Sequence, residues 1–356
     1  MYPFEAGPGF VSRQWHIAAF RDELTRTPME RTLLGKRVVL YRTMDGEPIA
    51  LPGLCPHRFY PFALGRLVAD DIECGYHGYR FNPAGRCVAI PGVAHPPAAY
   101  QVKPYPLIER GAYVWIWMAA SDPAFDQMPA IEEAGCAVSG WREARHNVTA
   151  MKARAQLLVE NLLDLSHVSF LHAPSLGLVY GDQANQPPRV EDRNDRLYVR
   201  LWLKDLPTGN SVLSRALPEA PQRVNVEMTT EYYSSAFINV RVTYFAQDGR
   251  QLGAINNIHG ITPETPTSTH YFASSTRDFA QNDEGFTQFL AQTDQAVRQE
   301  DIVGLEALES GLATLTDFRE MTRLHDLPIK WARRKLQDKM LAETTDAYGE
   351  RREAAR

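Results

Sequence analysis

Cys55-Pro56-His57 and Cys74-Gly75-Tyr76-His77-Gly78, with 16 residues between His57 and Cys74, set two thiols and two imidazoles in mixed pairs, C-x-H and C-x-x-H. Each pair lies in a Gly- or Pro-containing stretch between short apolar runs, where a loop can wrap a metal centre. Ordinary packing does not account for four soft or borderline ligands at paired spacings in a chain with only four cysteines. A structural zinc accepts two thiolates and two imidazoles, but its pairs usually come as Cys-Cys and His-His. Mixed pairs suit a [2Fe–2S] centre in which one iron takes both thiolates and the other both imidazoles, each loop giving one ligand to each iron. Neutral imidazoles raise the potential of such a cluster and make it a relay for single electrons.

A second set of polar groups sits among leucines: Asn161, Asp164, His167 and His172 in NLLDLSHVSFLH. On a helix Asn161 and Asp164 share a face, whereas His167 and His172 fall about 140° out of phase. The helix must therefore distort or end if both imidazoles are to reach one metal, and Pro174 lies close by. Two histidines lack only a carboxylate to make the 2-His-1-carboxylate triad of non-haem Fe(II), which leaves positions open for dioxygen. Asp301 is the best candidate: it falls four residues after Val297 and four before Leu305, on an apolar helical stripe where an unpaired carboxylate is costly. Asp294 is the runner-up, while Glu300 and Glu306 fall off the stripe and are expected in solvent.

The elements that must position these residues can be read in outline. RVVLYR (37–42), closed by the turn Asp45-Gly46, opens a series of short strands that ends at GAYVWIWMA (111–119), an all-β pattern over roughly 35–120. Residues 151–171 read as a helix stopped by Pro174, and five long segments between 186 and 280 read as antiparallel strands. Residues 283–310 form an amphipathic helix carried by Phe286, Leu290, Val297, Leu305, Leu308 and Leu312; 318–341 form another, and 342–356 a charged, frayed end. Cys87 reads as a small buried hydrophobe on a strand, and Cys136 has no assignment.

Composition narrows the classes. A net charge of −5, from 38 Lys+Arg and 43 Asp+Glu, gives no basic footprint for nucleic acid, and no apolar run is long enough to span a membrane. The N-terminal MYPFEAGPGF lacks the features of a secretory signal, and with four cysteines this points to a cytoplasmic protein with free or metal-bound thiols. There is no G-x-G-x-x-G fingerprint, so nicotinamide chemistry is expected on another polypeptide.

CPHRFYPFALG…CGYHGYRFNPAGRCVAIPG resembles the Rieske domain of ring-hydroxylating and O-demethylating oxygenases, and N-x-x-D-x-x-H-x-x-x-x-H with a later E-D-x-x-x-x-E resembles the catalytic domain of the vanillate and dicamba O-demethylase oxygenases. The resemblance covers nearly the whole chain. It implies an α+β protein: a Rieske [2Fe–2S] domain over 1–120 (cluster loops 53–60 and 72–80), a helix-grip catalytic domain with a curved antiparallel sheet over 135–345, and a frayed tail over 346–356. By position, Cys55, His57, Cys74 and His77 match the cluster ligands, and His167, His172 and Asp301 the ligands of a mononuclear Fe(II). Asp164 matches the acid that bridges a Rieske histidine to an iron histidine, and is expected to hold the tautomer of His167; Asn161 matches the residue beside the iron.

The resemblance further implies a terminal oxygenase that takes electrons from NAD(P)H through a separate reductase or ferredoxin and inserts one oxygen of O₂ into a C–H bond. Assembly as a homotrimer is expected, with the cluster of one subunit serving its neighbour's iron, His77 against Asp164. Asn239 in FINVRVTYF and His259 in NNIHGITPET match residues that hold an acid group, so a small methoxylated aromatic acid or phenol is the expected substrate; Arg241 and Arg277 are expected to face solvent. Methyl-group hydroxylation of an aromatic acid or sulfonate, and N-demethylation, are alternatives within the class. A Rieske electron carrier without chemistry of its own explains the first constellation but not the second, and a zinc-stabilised binding module would be colourless where a Rieske protein is red-brown.

Overall fold

The computed structural model describes residues 2–4, 7–176, 186–193, 196–209, 212–217, 219–317 and 319–354, with side chains described through Thr344. The chain divides into two compact units, one of residues 12–128 with 262–265, the other of residues 1–11, 129–261 and 266–356.

The first unit is built of short antiparallel strands: β1 (Trp15–Phe20), β2 (Met29–Leu33), β3 (Lys36–Arg42), β4 (Pro48–Pro52), β5 (Arg66–Val68), β6 (Asp71–Glu73), β7 (Arg80–Phe81), β8 (Cys87–Ala89), β9 (Leu107–Arg110) and β10 (Tyr113–Trp117). They form three small sheets, ordered β1-β10-β9, β2-β3-β4 and β5-β6-β7-β8. The all-β reading holds, but the pattern starts at Trp15 rather than near residue 35, because β1 pairs with β10. Tyr41, Leu51, Phe62, Ile72 and Phe81 pack with Cys55, Cys74 and Cys87 in one core. Cys87 is thus the small buried residue expected.

The second unit begins with β11 (Arg142–Met151), followed by α1 (Ala155–Leu163), α2 (Val168–Leu171) and α3 (Ala173–Leu176). Then come β12 (Arg189–Arg193), β13 (Arg196–Pro207), α4 (Val212–Ala216), β14 (Arg223–Ser234), β15 (Phe237–Phe245), β16 (Gln251–Thr265), β17 (Ser268–Arg277), α5 (Glu284–Leu312) and α6 (Leu327–Ala354). Seven strands form one sheet in the order β11-β17-β16-β15-β14-β13-β12. Leu158 and Leu162 of α1, Ile302 and Leu305 of α5 and Ala332 of α6 share a core with Leu197, Val199, Ile238, Val240 and Tyr271 of the sheet. This is the α+β helix-grip arrangement: a long amphipathic helix buries its apolar stripe on one face of an antiparallel sheet.

Several boundaries differ from the sequence reading. The single helix expected over 151–171 is a strand end followed by α1, a 3₁₀ turn and α2, and Pro174 sits inside α3 rather than stopping a helix. Leu308 is exposed, and Glu309, one residue on, is buried against Arg154 at 2.5 Å. Residues 1–11 join the second unit, not the first, because Phe4 and Val11 pack on Leu336 and Met340 of α6. In turn Thr262–Thr265 join the first unit: Leu34 and Gly35 donate backbone hydrogen bonds to Pro263 and Glu264. The expected frayed end is helical through Ala354; side chains from residue 345 onward and residues 355–356 lie outside the described residues.

Candidate active site

The two cluster loops are built alike. In each, the cysteine N–H donates to the carbonyl of a tyrosine five residues on (Cys55 to Tyr60, 2.9 Å; Cys74 to Tyr79, 2.8 Å), and the cysteine carbonyl accepts from the residue four on (Phe59, 2.8 Å; Gly78, 3.0 Å). That fourth residue turns the chain with positive φ, +57° at Phe59 and +69° at Gly78. Glycine takes this conformation freely, whereas phenylalanine takes it under strain. The histidines occupy different places in the repeat, third in one loop and fourth in the other, yet their rings meet at 4.7 Å between centroids. His57 also stacks on Tyr79 at 4.5 Å. Both cysteines are buried and both histidines exposed. Burial pushes the Cys55 thiol up to about 12. A metal beside a buried thiol stabilises its thiolate form, and two buried cysteines with two imidazoles alongside are a donor set that fits a metal cluster.

The second site follows from how α1 ends. Asp164 leaves helical geometry (φ −105°, ψ 89°), and its carboxylate accepts from the Ser166 N–H at 3.0 Å. A 3₁₀ turn, Leu165–His167, then leads into α2, which the sequence reading required for both imidazoles to converge. His167 Nε2 and His172 Nε2 lie 3.2 Å apart, with Asp301 Oδ1 at 3.7 Å and 3.2 Å from them. The ligand atoms of His167, His172 and Asp301 all lie within 4.8 Å of one another.

The outer nitrogens decide the chemistry. His167 Nδ1 donates to the Asp164 main-chain carbonyl, and His172 Nδ1 donates to Glu300 Oε2 at 2.8 Å. Both imidazoles therefore present an Nε2 lone pair inward, beside a carboxylate. Three acceptors facing one another repel unless a cation lies between them, so these residues fit a metal. Burial lowers the tendency of His167 to protonate; His172 is also buried, but Asp301 and Glu300 raise its tendency above the ordinary value. Asn161 Nδ2 donates to Asp301 Oδ1 at 2.8 Å and orients the carboxylate.

Three expectations are corrected here. The Asp164 carboxylate does not hold the His167 tautomer; its backbone carbonyl does, while the carboxylate caps the turn and lies 3.7 Å from Arg323. Glu300 is not a solvated off-stripe residue, since it also accepts from Ser175 at 2.8 Å, and Glu306 accepts from the Lys152 N–H at 2.8 Å. Asp294, ranked behind Asp301 in the sequence, stands apart from the three ligand residues, and its Oδ2 accepts from His146 at 2.8 Å and Arg298 at 2.6 Å. Burial works against its ionisation, but these two partners hold the carboxyl below its usual range.

A cavity of about 170 Å³ opens on His167, His172 and Asp301. An apolar cavity of about 150 Å³ holds one benzene ring. Its wall is mostly apolar, with Val240, Val242 and Ile255 among the residues from the sheet. His259 lines it as expected, with Nδ1 at 2.5 Å from the Tyr271 hydroxyl, and burial pushes its pKa down to about 4. Asn239 does not line it. Val240 pairs with Asn257 and Ile238 with His259 across β15 and β16, so the pocket face takes the even residues of β15. Asn239 points to the other face, where it donates to Glu231 and Asn256 at 2.9 Å. Arg241, on that same face, donates to Asn256 at 2.8 Å. Arg277 is fully buried rather than in solvent, held by the carbonyls of Ala280 and Asp283. Asn257 and Arg298 line the cavity and were not singled out in the sequence; the pairing parity of Asn257 with His259, two residues apart on one strand, was the available signal.

Residues 14–106 match the Rieske [2Fe-2S] domain and residues 151–343 match the vanillate O-demethylase oxygenase C-terminal domain. The chain belongs to the Rieske non-haem iron oxygenases, as an oxygenase component. It is 32% identical over 306 residues to the oxygenase component of dicamba O-demethylase from Stenotrophomonas maltophilia, covering 84% of this chain and 88% of that one. To a putative toluene-4-sulfonate monooxygenase iron-sulfur subunit of Comamonas testosteroni it is 30% identical, over 86% of this chain and 90% of that one. The crystal structure of dicamba monooxygenase bound to 3,6-dichlorosalicylic acid superposes with a TM-score of 0.82 at 26% identity, over 94% of this chain and 99% of that chain. The protein is thus an enzyme of the monooxygenase type, working with a [2Fe–2S] cluster and a mononuclear iron and fed by a separate electron donor. No helix among the described residues is long and apolar enough to cross a membrane.

Proposed function

We propose that the chain catalyses oxidative O-demethylation of a small methoxylated aromatic acid or phenol. The methoxy compound, O₂ and NAD(P)H with a proton give the phenol, formaldehyde, water and NAD(P)⁺. The observation that carries this reading is a ring-sized, largely apolar cavity opening on the His167, His172 and Asp301 ligand atoms. When bound there, the iron supplies activation of dioxygen with electrons relayed from the cluster.

The chain's own residues do the rest. Cys55, His57, Cys74 and His77 hold the cluster, and His167, His172 and Asp301 hold the iron. Glu300 and the Asp164 carbonyl keep the two imidazoles in the tautomer that ligates, and Asn161 fixes the rotamer of Asp301. The apolar wall presses the ring against the triad and excludes water, while His259 offers a hydrogen bond to its polar substituent. The Asp164 carboxylate, partly exposed beside Arg323, is free to meet His77 of a neighbouring subunit in a head-to-tail homotrimer. Domain limits of 1–120 and 135–345, apart from the exchanged segments described above, suit this division of labour.

The test is turnover with a reconstituted reductase over a panel of methoxybenzoates and methoxyphenols. Formaldehyde and phenol are expected in equal amounts. A hydroxylated product that keeps its methoxy group, or oxidation of a ring methyl or N-methyl compound in preference to every methoxy compound, refutes the assignment.

A further inference from the structure

Arg298 lies on α5 one turn before Asp301, is almost wholly buried, and lines the cavity. Its Nε donates to Asp294 at 2.6 Å, its guanidinium lies over the Tyr271 ring at 5.5 Å, and its Nη2 is buried with no hydrogen-bond partner. A buried guanidinium N–H left unpaired costs free energy, and the ion pair with Asp294 and the ring of Tyr271 hold the group in its buried place. The unpaired donor therefore awaits an acceptor in the cavity.

Tyr271 connects this donor to a second one. Burial keeps the Tyr271 phenol protonated, so its O–H donates to His259 Nδ1 at 2.5 Å. Burial also keeps His259 neutral, with a pKa pushed down to about 4, and the single ring proton then lies on Nε2. Arg298 and His259 thus lean on one tyrosine, and both side chains line the cavity. Two such donors, one of them charged, match the two oxygens of a carboxylate.

We propose that Arg298 is the specificity-determining residue for the acid group of the substrate, receiving one carboxylate oxygen on Nη2 while His259 donates to the other. Asp294 and His146 position the guanidinium: Asp294 Oδ2 accepts from both His146 Nδ1 and Arg298 Nε, which anchors Nε and leaves Nη2 for the ligand. The proposal rests on the aromatic-acid reading above. It assigns to α5 the role that the sequence gave to Asn239, and it excludes simple methoxyphenols as preferred substrates.

The experiment measures binding by calorimetry for the ortho, meta and para methoxybenzoates and their neutral amides, using holoenzyme without reductase. The parent is expected to prefer its best acid to the matching amide by about tenfold or more. Asp294→Asn with Arg298→Gln keeps the local charge balanced; it should weaken the acid by about 30-fold and leave the amide unchanged. Arg298→Lys, which keeps a cation but loses the fork, should also weaken the acid alone and serves if the double variant does not fold. An acid-to-amide ratio that is the same in parent and variant overturns the proposal, as does failure of every acid to bind the parent. Formaldehyde release is followed in parallel. Selective binding of acids with no formaldehyde from any of them defeats the demethylation reading but upholds the anchor; formaldehyde from amides as readily as from acids defeats the anchor alone.

Discussion

Replacing Glu300 by alanine removes the carboxylate that accepts from His172 Nδ1 at 2.8 Å and leaves the Ser175 hydroxyl as the remaining neighbour. A hydrogen bond to a charged group contributes about 1.5–3 kcal/mol. The Glu300 side chain is 21% exposed, and it divides its oxygen between two donors. The lower half of that range therefore applies, which converts to roughly 10–40-fold in the Fe(II) dissociation constant, in line with the cost of losing an outer partner of a metal-bound imidazole. The assay is anaerobic competition for Fe(II) against a chromophoric chelator, with the visible absorbance of the cluster as the internal control. Glu300→Gln keeps an acceptor without the charge and should recover part of the affinity. The cluster should be intact in both variants. Unchanged Fe(II) affinity in Glu300→Ala, with the fold preserved, would show that the His172 ring is held by packing alone and would refute the tautomer reasoning.

Cys74→Ser should bleach the visible spectrum and abolish turnover; a surviving spectrum sinks the ligand assignment. Asp301→Ala should lose mononuclear iron and keep the cluster, whereas Asp294→Ala should keep both and lose about 3–5 kcal/mol of stability, because it strands Arg298 without its partner; metal analysis with denaturant unfolding separates the two, and equal iron in Asp301→Ala and parent removes Asp301 from the triad. For His259, the folded-state pKa of about 4 lies below its ordinary 6.5. Its neutral form therefore contributes stability that is complete above pH 6.5 and is lost as pH falls towards 4, on the order of 3 kcal/mol. His259→Gln should flatten the stability curve in that window, and a curve parallel to the parent's counts against the buried neutral imidazole. Asp164→Asn should keep both metal centres but slow electron transfer between them, as single-turnover oxidation of the cluster would reveal; an unchanged rate removes Asp164 from the electron path.

How much was legible in advance depended on how far each contact reaches along the chain. The cluster residues were readable because each pair is local: three and four residues close a loop, and the residue types alone restrict the metal. Asp301 was readable because an acid on an apolar stripe needs a reason to be there, and Ile302 and Leu305 do bury the stripe. Glu300 was misread by the same logic, since stripe arithmetic ranks faces of a helix but does not show that α2 and α3 come to cover the next residue over. Asn239 failed for a different reason. Alternation along β15 separates two faces without naming the one that meets the cavity, and here both faces are buried, one by apolar residues and the other by a polar network through Asn256 and Glu231. Arg277 defeats any rule that sends arginine to solvent, because the turn after β17 folds its own carbonyls back onto the guanidinium. Arg298 carried no signal in sequence, since its burial depends on Asp294 one turn away and on Tyr271 from a different strand.

The loops at Cys55 and Cys74 bury their thiols and leave both imidazoles in solvent. In circuit terms the relay is insulated at one pole and bare at the other. A cluster held by these four residues would exchange electrons most directly across the imidazole edge, because both cysteines lie in the core with Phe62, Ile72 and Phe81. One port then serves both charging and discharge. Part of it is already covered, since the His57 ring lies flat against Tyr79. A relay of this kind works in strokes: the donor must vacate the contact, or approach it from another side, before the next carrier can draw current. Release of the donor from that edge would then matter to turnover as much as its binding does.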